Sequence, residues 1–387
     1  MKNDSLEYSL QTRILHHKHK TDPTNGAVSV PIQHASTFHQ EGLDSFGKYD
    51  YARSGNPTRE ALEDTIAQLE NGTAGFAFAS GMAAISTTFM MLSSGDHLVI
   101  TEDVYGGTFR FTTEVLTKLG IEHTFVDMTK VEEVKQAIQP NTKMIYIETP
   151  SNPTMKITPI KAIVDLAKES GSLTVLDNTF MTPVLQRPLD LGVDVVVHSA
   201  TKFIGGHSDV IAGLAVVKDS ALAEKLGFLQ NSFGAVLGPQ DCWLILRGMK
   251  TMHTRMEAST KTAVEIAQWL TTHPAVKHVY YPGLKDHPGF DLHQAQSDSP
   301  GAVLSFELAD REAVKKVVDA IEIPVFAVSL GAVESILSYP ALMSHAAMPA
   351  HEREKRGISD GLLRLSVGLE KSEDLIKDFD QAFNQTL

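Results

Sequence analysis

The sequence predicts an α/β protein in which a large, doubly wound and mostly parallel sheet domain is followed by a smaller C-terminal α+β domain. Two observations lead to this prediction. Short apolar runs alternate with helical patterns between residues 56 and 250, which is typical of a parallel sheet covered by helices on both faces. Beyond residue 300, fewer apolar runs surround one amphipathic helix, which indicates a second unit.

Proline and glycine interrupt residues 1–55 repeatedly, so we expect an N-terminal arm rather than a domain there. A helix is predicted from Pro57, because Asn56 can cap it and proline is favoured at the first helical position. The pair Asn71-Gly72 is a typical helix end. The apolar face of this helix carries Leu62, Ile66 and Leu69.

The remaining elements follow from the same patterns. A helix at 157–170 separates two of the strands, and a long helix at 241–272 follows the last of them. In the C-terminal domain, strands at 301–308 and 325–330 flank a helix at 311–321. We therefore place the large domain at 56–250 and the C-terminal domain at 251–387. The predicted strands of the large domain are 75–79, 97–100, 144–148, 173–177, 194–199 and 213–217.

Composition excludes several classes of partner. The net charge of −13 argues against nucleic acid, since phosphate binding needs a basic surface. Residues 71–95 carry no charge, but Asn, Gly, Ser and Thr interrupt them, so a strand, a turn and a helix fit better than a membrane span. Cys242 is the single cysteine, which fits a reducing cytoplasm and a packed helix residue.

Polar residues follow several of the predicted strands. Ser199, Thr201 and Lys202 come at the end of one strand, Asp177 ends a second, and Ser80-Gly81 follows a third. Because the carboxyl ends of parallel strands meet at one edge of a sheet, we expect these groups to share a ligand site.

These groups match the chemistry of one cofactor. Backbone N–H groups of Ser80, Gly81 and Met82 at a helix start can hold a phosphate. The hydroxyls of Ser199 and Thr201 can donate to the same phosphate. Asp177 suits a protonated ring nitrogen, and a desolvated Lys202 is a nucleophile toward an aldehyde. Each residue alone has a simpler explanation as a solvated lysine, a turn or a cap. Their joint placement predicts a pyridoxal phosphate site.

Two other kinds of site are disfavoured. Residues 42–48 have the glycine and lysine spacing of a P-loop, but Tyr49 stands where Ser or Thr is needed, and no apolar strand precedes them. Sixteen histidines occur without an H-E-x-x-H motif, so we expect no metal site.

A series of short segments along the chain points to one enzyme family. They are "YARSGNPTR" (51–59), "ASGMAAI" (79–85), "DVYGGT" (103–108), "ETPSNP" (148–153), "DNTF" (177–180), "HSATKFIGGHSD" (198–209), "SLGAVES" (329–335) and "RLSVGLE" (364–370). Together they resemble the Cys/Met-metabolism family of pyridoxal phosphate enzymes, which includes cystathionine β-lyases, γ-lyases and γ-synthases. The resemblance implies the aminotransferase-like fold (fold type I). Two further segments, "VPIQHASTFHQ" (30–40) and "SILSYPALMSHAAMP" (335–349), are most similar to the Bacillus-type β-lyases.

The resemblance assigns roles to matching positions. Lys202 is expected to bind the cofactor covalently and to move the Cα proton, while Asp177 pairs with the ring nitrogen. Tyr105 is expected to stack on the ring and to donate a proton to sulfur. Asn152 contacts the ring hydroxyl. The residues expected at the phosphate are Gly81, Met82, Ser199 and Thr201.

Other implied roles concern the substrate and the assembly. Arg364, helped by Ser329, is expected to bind the substrate α-carboxylate. Tyr51 and Arg53 are expected to reach the phosphate of a neighbouring subunit, which implies a homotetramer built from two dimers; Ala52 replaces the family's usual serine between them. Glu334 occupies a position where γ-acting relatives carry glutamate.

The expected activity is β-elimination of L-cystathionine to homocysteine, pyruvate and ammonia in methionine biosynthesis. The alternatives are a γ-lyase or γ-synthase of the same family and, from another class, a non-catalytic carrier of the cofactor. Arg364 and Tyr105 argue against a carrier, because a carrier needs no clamp for a substrate carboxylate.

Overall fold

The computed structural model describes residues 8–16, 22, 24–346 and 348–386, and it has the predicted fold class. The larger sheet has the order β1-β7-β6-β5-β4-β2-β3, in which only β7 runs antiparallel to its neighbours. Its strands are β1 (Ala74–Phe78), β2 (His97–Thr101), β3 (Glu122–Val126), β4 (Thr142–Glu148), β5 (Leu173–Asp177), β6 (Val195–Ser199) and β7 (Gly213–Val217).

Helices cover both faces of this sheet, as a doubly wound fold requires. They are α1 (Leu10–Leu15), α2 (Pro57–Leu69), α3 (Gly81–Phe89), α4 (Gly106–Phe111), α5 (Val131–Ala137), α6 (Ile160–Ser170), α7 (Thr182–Leu185), α8 (Ser220–Phe233) and α9 (Pro239–Met249). On one face, α2 and α6 pack against Leu176 and Val196. On the other, α3 and α8 pack against Val175, Val195 and Val197.

The smaller sheet has five strands in the order β10-β11-β12-β9-β8. Its core unites the sheet with α10, α12 and α14 around Phe306, Phe379 and Phe383. The elements are α10 (Met252–Leu270), β8 (His278–Tyr280), α11 (Phe290–Gln296), β9 (Val303–Glu307), α12 (Arg311–Ala320), β10 (Val325–Phe326), β11 (Ile336–Ser338), α13 (Ala350–Lys355), β12 (Leu362–Ser366) and α14 (Ser372–Phe383).

The predicted helix after the arm is confirmed in detail. The Asn56 side chain accepts hydrogen bonds from the N–H groups of Thr58 and Arg59 at 2.9 and 3.1 Å, which caps α2. Of the predicted arm, residues 1–7, 17–21 and 23 lie outside the described part. The boundaries of the arm and of the two domains remain predictions.

Two predicted elements are wrong in extent. The predicted helix 241–272 is two helices, α9 and α10, which break at Lys250-Thr251. There the buried Arg255 donates to the carbonyl of Gly248 at 2.8 Å and so stabilises the break. The predicted strand 325–330 pairs only through Val325 and Phe326, because the chain then turns toward the larger sheet at Ser329, whose φ is 90°.

No helix in the described part of the chain is long and apolar enough to cross a lipid bilayer.

Candidate active site

A cavity of about 570 Å³ opens at the carboxyl edge of the larger sheet, where the smaller sheet faces it. Strand ends of the larger sheet contribute Asp177, Ser199 and Lys202, and the smaller sheet contributes Arg364. The other predicted site residues that line the cavity are Ser80, Gly81, Met82, Tyr105, Asn152, Thr201 and Ser329.

Lys202 lies just after β6, and its Nζ donates to Oγ of Ser329 at 2.6 Å. Burial, and next the charge of Arg364, lowers the pKa of Lys202 from 10.5 to about 8. Gly331 has a φ of +78°, and a Cβ there would lie 2.5 Å from the backbone nitrogen of Phe203. The loop from the smaller sheet therefore packs directly on the backbone that carries the lysine.

Asp177 ends β5 and is buried in the site. Its carboxylate accepts hydrogen bonds from Thr179, through both N–H (3.0 Å) and hydroxyl, and from the hydroxyl of Tyr146 at 3.2 Å. Burial raises the pKa of Asp177, while the hydrogen bonds from Thr179 oppose the rise. These donors all favour the ionised carboxylate, which is the form that binds a protonated ring nitrogen.

The beginning of α3 forms an anion-binding corner. The hydroxyl oxygen of Ser80 accepts from the N–H of Ala83 at 3.0 Å and caps the helix, which leaves other first-turn N–H groups free of that cap. A Cβ at Gly81 would lie 2.9 Å from Cβ of Ser199, so only glycine lets the helix start approach β6 this closely. The hydroxyl of Thr201, by contrast, is engaged with the backbone of Ala212.

Arg364 on β12 is buried, and burial lowers its pKa to about 10. Its guanidinium donates to Oδ1 of Asn152 at 2.8 Å, to the carbonyl of Ser329 at 2.8 Å and to Oγ of Ser338 at 2.9 Å. Among the described residues, Nε of Arg364 has no hydrogen-bond partner, and no carboxylate forms a salt bridge with the guanidinium. A buried cation in this condition is suited to receive an anionic ligand group.

Together these groups fit pyridoxal phosphate. An amine of lowered pKa, a buried carboxylate that accepts hydrogen bonds from Thr179 and Tyr146, and a helix N-terminus beside a hydroxyl face one cavity. They match the cofactor's aldehyde, ring nitrogen and phosphate.

The family model described as "Cys/Met metabolism PLP-dependent enzyme" matches residues 11–384. The chain belongs to this family. Pyridoxal phosphate is therefore its cofactor, and its fold is fold type I.

Similar proteins within the family cover nearly the whole chain. Cystathionine beta-lyase MetC of Bacillus subtilis is 68% identical over 98% of this chain and 97% of its own length. Cystathionine gamma-lyase of the same organism is 51% identical over 96% of this chain and 98% of its own length. The crystal structure of cystathionine gamma-lyase from Lactobacillus plantarum complexed with L-serine superposes with a TM-score of 0.95 at 48% identity, covering 98% of this chain and 99% of that one.

Three predicted site residues do not line the cavity. Tyr51 and Arg53 are exposed; the guanidinium of Arg53 lies 5.5 Å from the centroid of the Tyr51 ring and donates to Oδ1 of Asn231 at 3.1 Å. Glu334 is also exposed. Their roles in this family member remain predictions.

The sequence prediction missed some residues of the site. Glu148 lines the cavity and accepts the N–H of Tyr105 at 3.0 Å; burial, and next the charge of Asp177, raises the pKa of Glu148 well above its ordinary value. Its place at a strand end was a usable signal. Arg110, exposed at the cavity in α4, gave no signal, because a helical arginine ordinarily lies on a solvated face.

Proposed function

We propose that the protein is a cystathionine β-lyase that converts L-cystathionine to homocysteine, pyruvate and ammonia in methionine biosynthesis. One observation carries the proposal: the chain is 68% identical, over nearly its full length, to a protein named cystathionine beta-lyase. The gamma-lyase of the same organism is 51% identical over a similar span. Arg364 supports an enzyme over a carrier, since among the described residues its buried guanidinium forms no salt bridge and its Nε has no hydrogen-bond partner.

The substrate α-carboxylate binds Arg364 in this proposal. Asn152, Ser338 and the Ser329 carbonyl hold the guanidinium in one orientation, so little freedom is lost when the ligand binds. The clamp fixes the amino-acid end of the substrate next to Lys202.

Lys202 then accepts the proton from Cα. Its pKa of about 8 leaves a substantial neutral fraction near neutral pH, and the Ser329 hydroxyl holds Nζ at the cavity. The cofactor, when bound, supplies an electron sink for the charge left at Cα, and Asp177 provides the negative charge opposite its ring nitrogen.

Tyr105 is proposed to donate a proton to the departing sulfur. The side chain is 44% exposed and lines the cavity, while its backbone N–H is held by Glu148. Protonation of sulfur as the Cβ–S bond breaks releases homocysteine as the neutral thiol.

With L-cystathionine as sole substrate, we expect pyruvate to exceed 2-oxobutyrate. Chromatography of the keto acids from the quenched reaction measures both products. An excess of 2-oxobutyrate, with cysteine as co-product, contradicts β-elimination and supports the γ-lyase alternative. That alternative has its own support in the 51% identity to a gamma-lyase.

The same assay tests Glu334. A carboxylate near the distal amine of cystathionine contributes about 1 kcal/mol or less at a solvated position, so Glu334→Ala should raise KM for cystathionine up to about fivefold. Turnover of a cysteine thioether without the distal amine should not change. Equal effects on both substrates would contradict the predicted role of Glu334.

We propose a homotetramer in which each dimer shares its sites. Tyr51 and Arg53 are exposed and lie outside the cavity lining of their own chain. Three apolar side chains of the arm, Val28, Leu43 and Phe46, are exposed as well. The arm is therefore proposed to contact a second subunit. Tyr51 and Arg53 would then bind the phosphate of the cofactor held by that subunit.

Coexpression of Arg53→Ala with Lys202→Ala tests the shared site. Each mixed dimer then contains one intact site and one doubly altered site, so purified mixed dimers should recover about half of the wild-type activity. Differently tagged chains allow their isolation, and each single variant alone is the control. Mixed dimers as inactive as the single variants would contradict a shared site.

We propose that the enzyme works in the cytoplasm. The single cysteine, Cys242, is buried and can form no intramolecular disulfide, which suits a reducing compartment.

A further inference from the structure

A polar cluster is buried behind the cofactor site, on the opposite face of the larger sheet. It consists of Glu70, Asn178 and His198, whose exposed fractions are 0%, 0% and 1%. Nε2 of His198 lies 2.7 Å from Oε1 of Glu70, and Nδ2 of Asn178 donates to the same oxygen at 3.0 Å. We call these residues the Glu70 cluster. The roles described above for the site do not use it.

The cluster connects three chain segments that meet at the site. Glu70 caps the C-terminus of α2, Asn178 directly follows Asp177 of β5, and His198 directly precedes Ser199 of β6. Successive residues of a strand point to opposite faces, so His198 lies on the side covered by α2, and Ser199 faces the cavity. Each strand-end member of the cluster is thus the chain neighbour of a cofactor-binding residue.

We propose that Glu70 and His198 are positioning residues for the cofactor. By joining the ends of β5 and β6 from behind, they fix the separation of Asp177 and Ser199, the groups proposed for the ring nitrogen and the phosphate. This inference rests on the roles proposed for those two residues.

The apolar surroundings of the Glu70 cluster support a positioning role. Leu62, Ile66 and Leu69 of α2 are fully buried in the same apolar core, where a polar pair is costly unless its hydrogen bonds are well directed. Directed bonds fix a backbone more narrowly than apolar packing does. The side-chain amide of Gln186 donates a hydrogen bond to Oδ1 of Asn178 at 3.1 Å and extends the same network.

Electrostatics gives a second argument. Burial raises the pKa of Asp177, which works against the ionised form that the ring nitrogen needs, and Glu148 lies beside it on β4. Hydrogen bonds from Thr179 and then the charge of His198 lower the pKa of Asp177. The Glu70 carboxylate holds the ring of His198 in place through the 2.7 Å contact at Nε2.

The test compares Glu70→Gln and His198→Gln with the wild-type holoenzyme. Glu70→Gln keeps the shape and an acceptor oxygen for Asn178 but removes the charge. We expect both variants to release pyridoxal phosphate on dilution about tenfold faster, as loss of one charge-assisted hydrogen bond implies, and to change the visible circular dichroism of the bound cofactor. The double variant should be no worse than the worse single variant, because the pair acts as a unit.

His97→Gln is the matched control. His97 is equally buried on the same sheet but at the start of β2, the opposite edge, where it bonds the hydroxyls of Thr142 and Thr124 at 2.8 and 2.9 Å. It should lower the Tm without changing cofactor release or the circular dichroism. A purely structural role for the Glu70 cluster predicts that its variants behave like His97→Gln, and this result would overturn the proposal.

The Asp177→Asn variant distinguishes the positioning role of the Glu70 cluster from the cofactor role of Asp177. If it releases cofactor rapidly while Glu70→Gln and His198→Gln do not, the positioning role is wrong and the cofactor role of Asp177 stands. If Asp177→Asn itself has no effect, the role proposed for Asp177 is wrong. If His198→Gln does not fold, the comparison of Glu70→Gln with the His97→Gln control tests the proposal by itself.

Discussion

Replacement of Lys202 by alanine should reduce pyruvate formation from L-cystathionine by at least about 10³-fold, since the substitution removes the residue proposed both as covalent partner of the cofactor and as base. Lys202 combines burial, a pKa of about 8 and a 2.6 Å hydrogen bond to Ser329, and each of these supports a reactive amine. Methylamine added at millimolar concentration should restore part of the proton transfer.

The covalent role is measured separately. Borohydride reduction of the wild-type holoenzyme should fix the cofactor on the peptide that contains Lys202, and the alanine variant should give no such peptide. Lys218→Ala is the control, because Lys218 is exposed just after β7. A Lys202→Ala enzyme of normal activity, or a label on another lysine, would refute the assignment.

Substitution of Arg364 should have the next largest effect. We expect Arg364→Ala to lower kcat/KM for L-cystathionine by about 10²- to 10³-fold, because a buried charge pair contributes several kcal/mol when its partner is truncated. Arg364→Lys should recover little, since an ammonium cannot reproduce the planar fork that Asn152, Ser329 and Ser338 hold in place.

A substrate analogue identifies the group that Arg364 binds. Wild-type enzyme should strongly prefer an S-alkylcysteine over its carboxamide, and both Arg364 variants should lose most of this preference. Arg356→Lys serves as the control, because Arg356 is also a buried arginine and donates to the carbonyls of Glu102 and Glu352, which do not line the cavity. An undiminished preference in folded Arg364→Ala would show that the α-carboxylate binds elsewhere.

Strand ends were the part of the site that sequence could predict. Asp177, Ser199 and Lys202 each follow a buried apolar run, and parallel strands bring such ends together without any knowledge of register. The strand-end position of Glu148 was equally readable, but its pairing with the backbone N–H of Tyr105, 43 residues earlier in the chain, was not. The His198–Glu70 contact spans 128 residues and is likewise invisible to local patterns.

Family resemblance predicted roles for residues that the local sequence pattern could not identify, and the local pattern missed two features of the fold. Tyr51, Arg53 and Arg364 acquire roles only by resemblance, since nothing in their local sequence distinguishes them from solvated side chains. Strand β3 was missed because it is an edge strand whose residues are mostly half-exposed. The break between α9 and α10 was missed because a tertiary hydrogen bond from Arg255 stabilises it.

The cavity takes Lys202 from the end of the larger sheet and Arg364, the proposed carboxylate clamp, from the smaller one. The two are coupled across the site, because Ser329 accepts a hydrogen bond from Nζ of Lys202 through its hydroxyl and one from Arg364 through its carbonyl. Ser338 and Arg364 are paired on neighbouring strands β11 and β12, and Arg364 also donates to Asn152. A substitution in the C-terminal part of the chain that repositions Arg364 should therefore alter the surroundings of Lys202 as well as the substrate clamp.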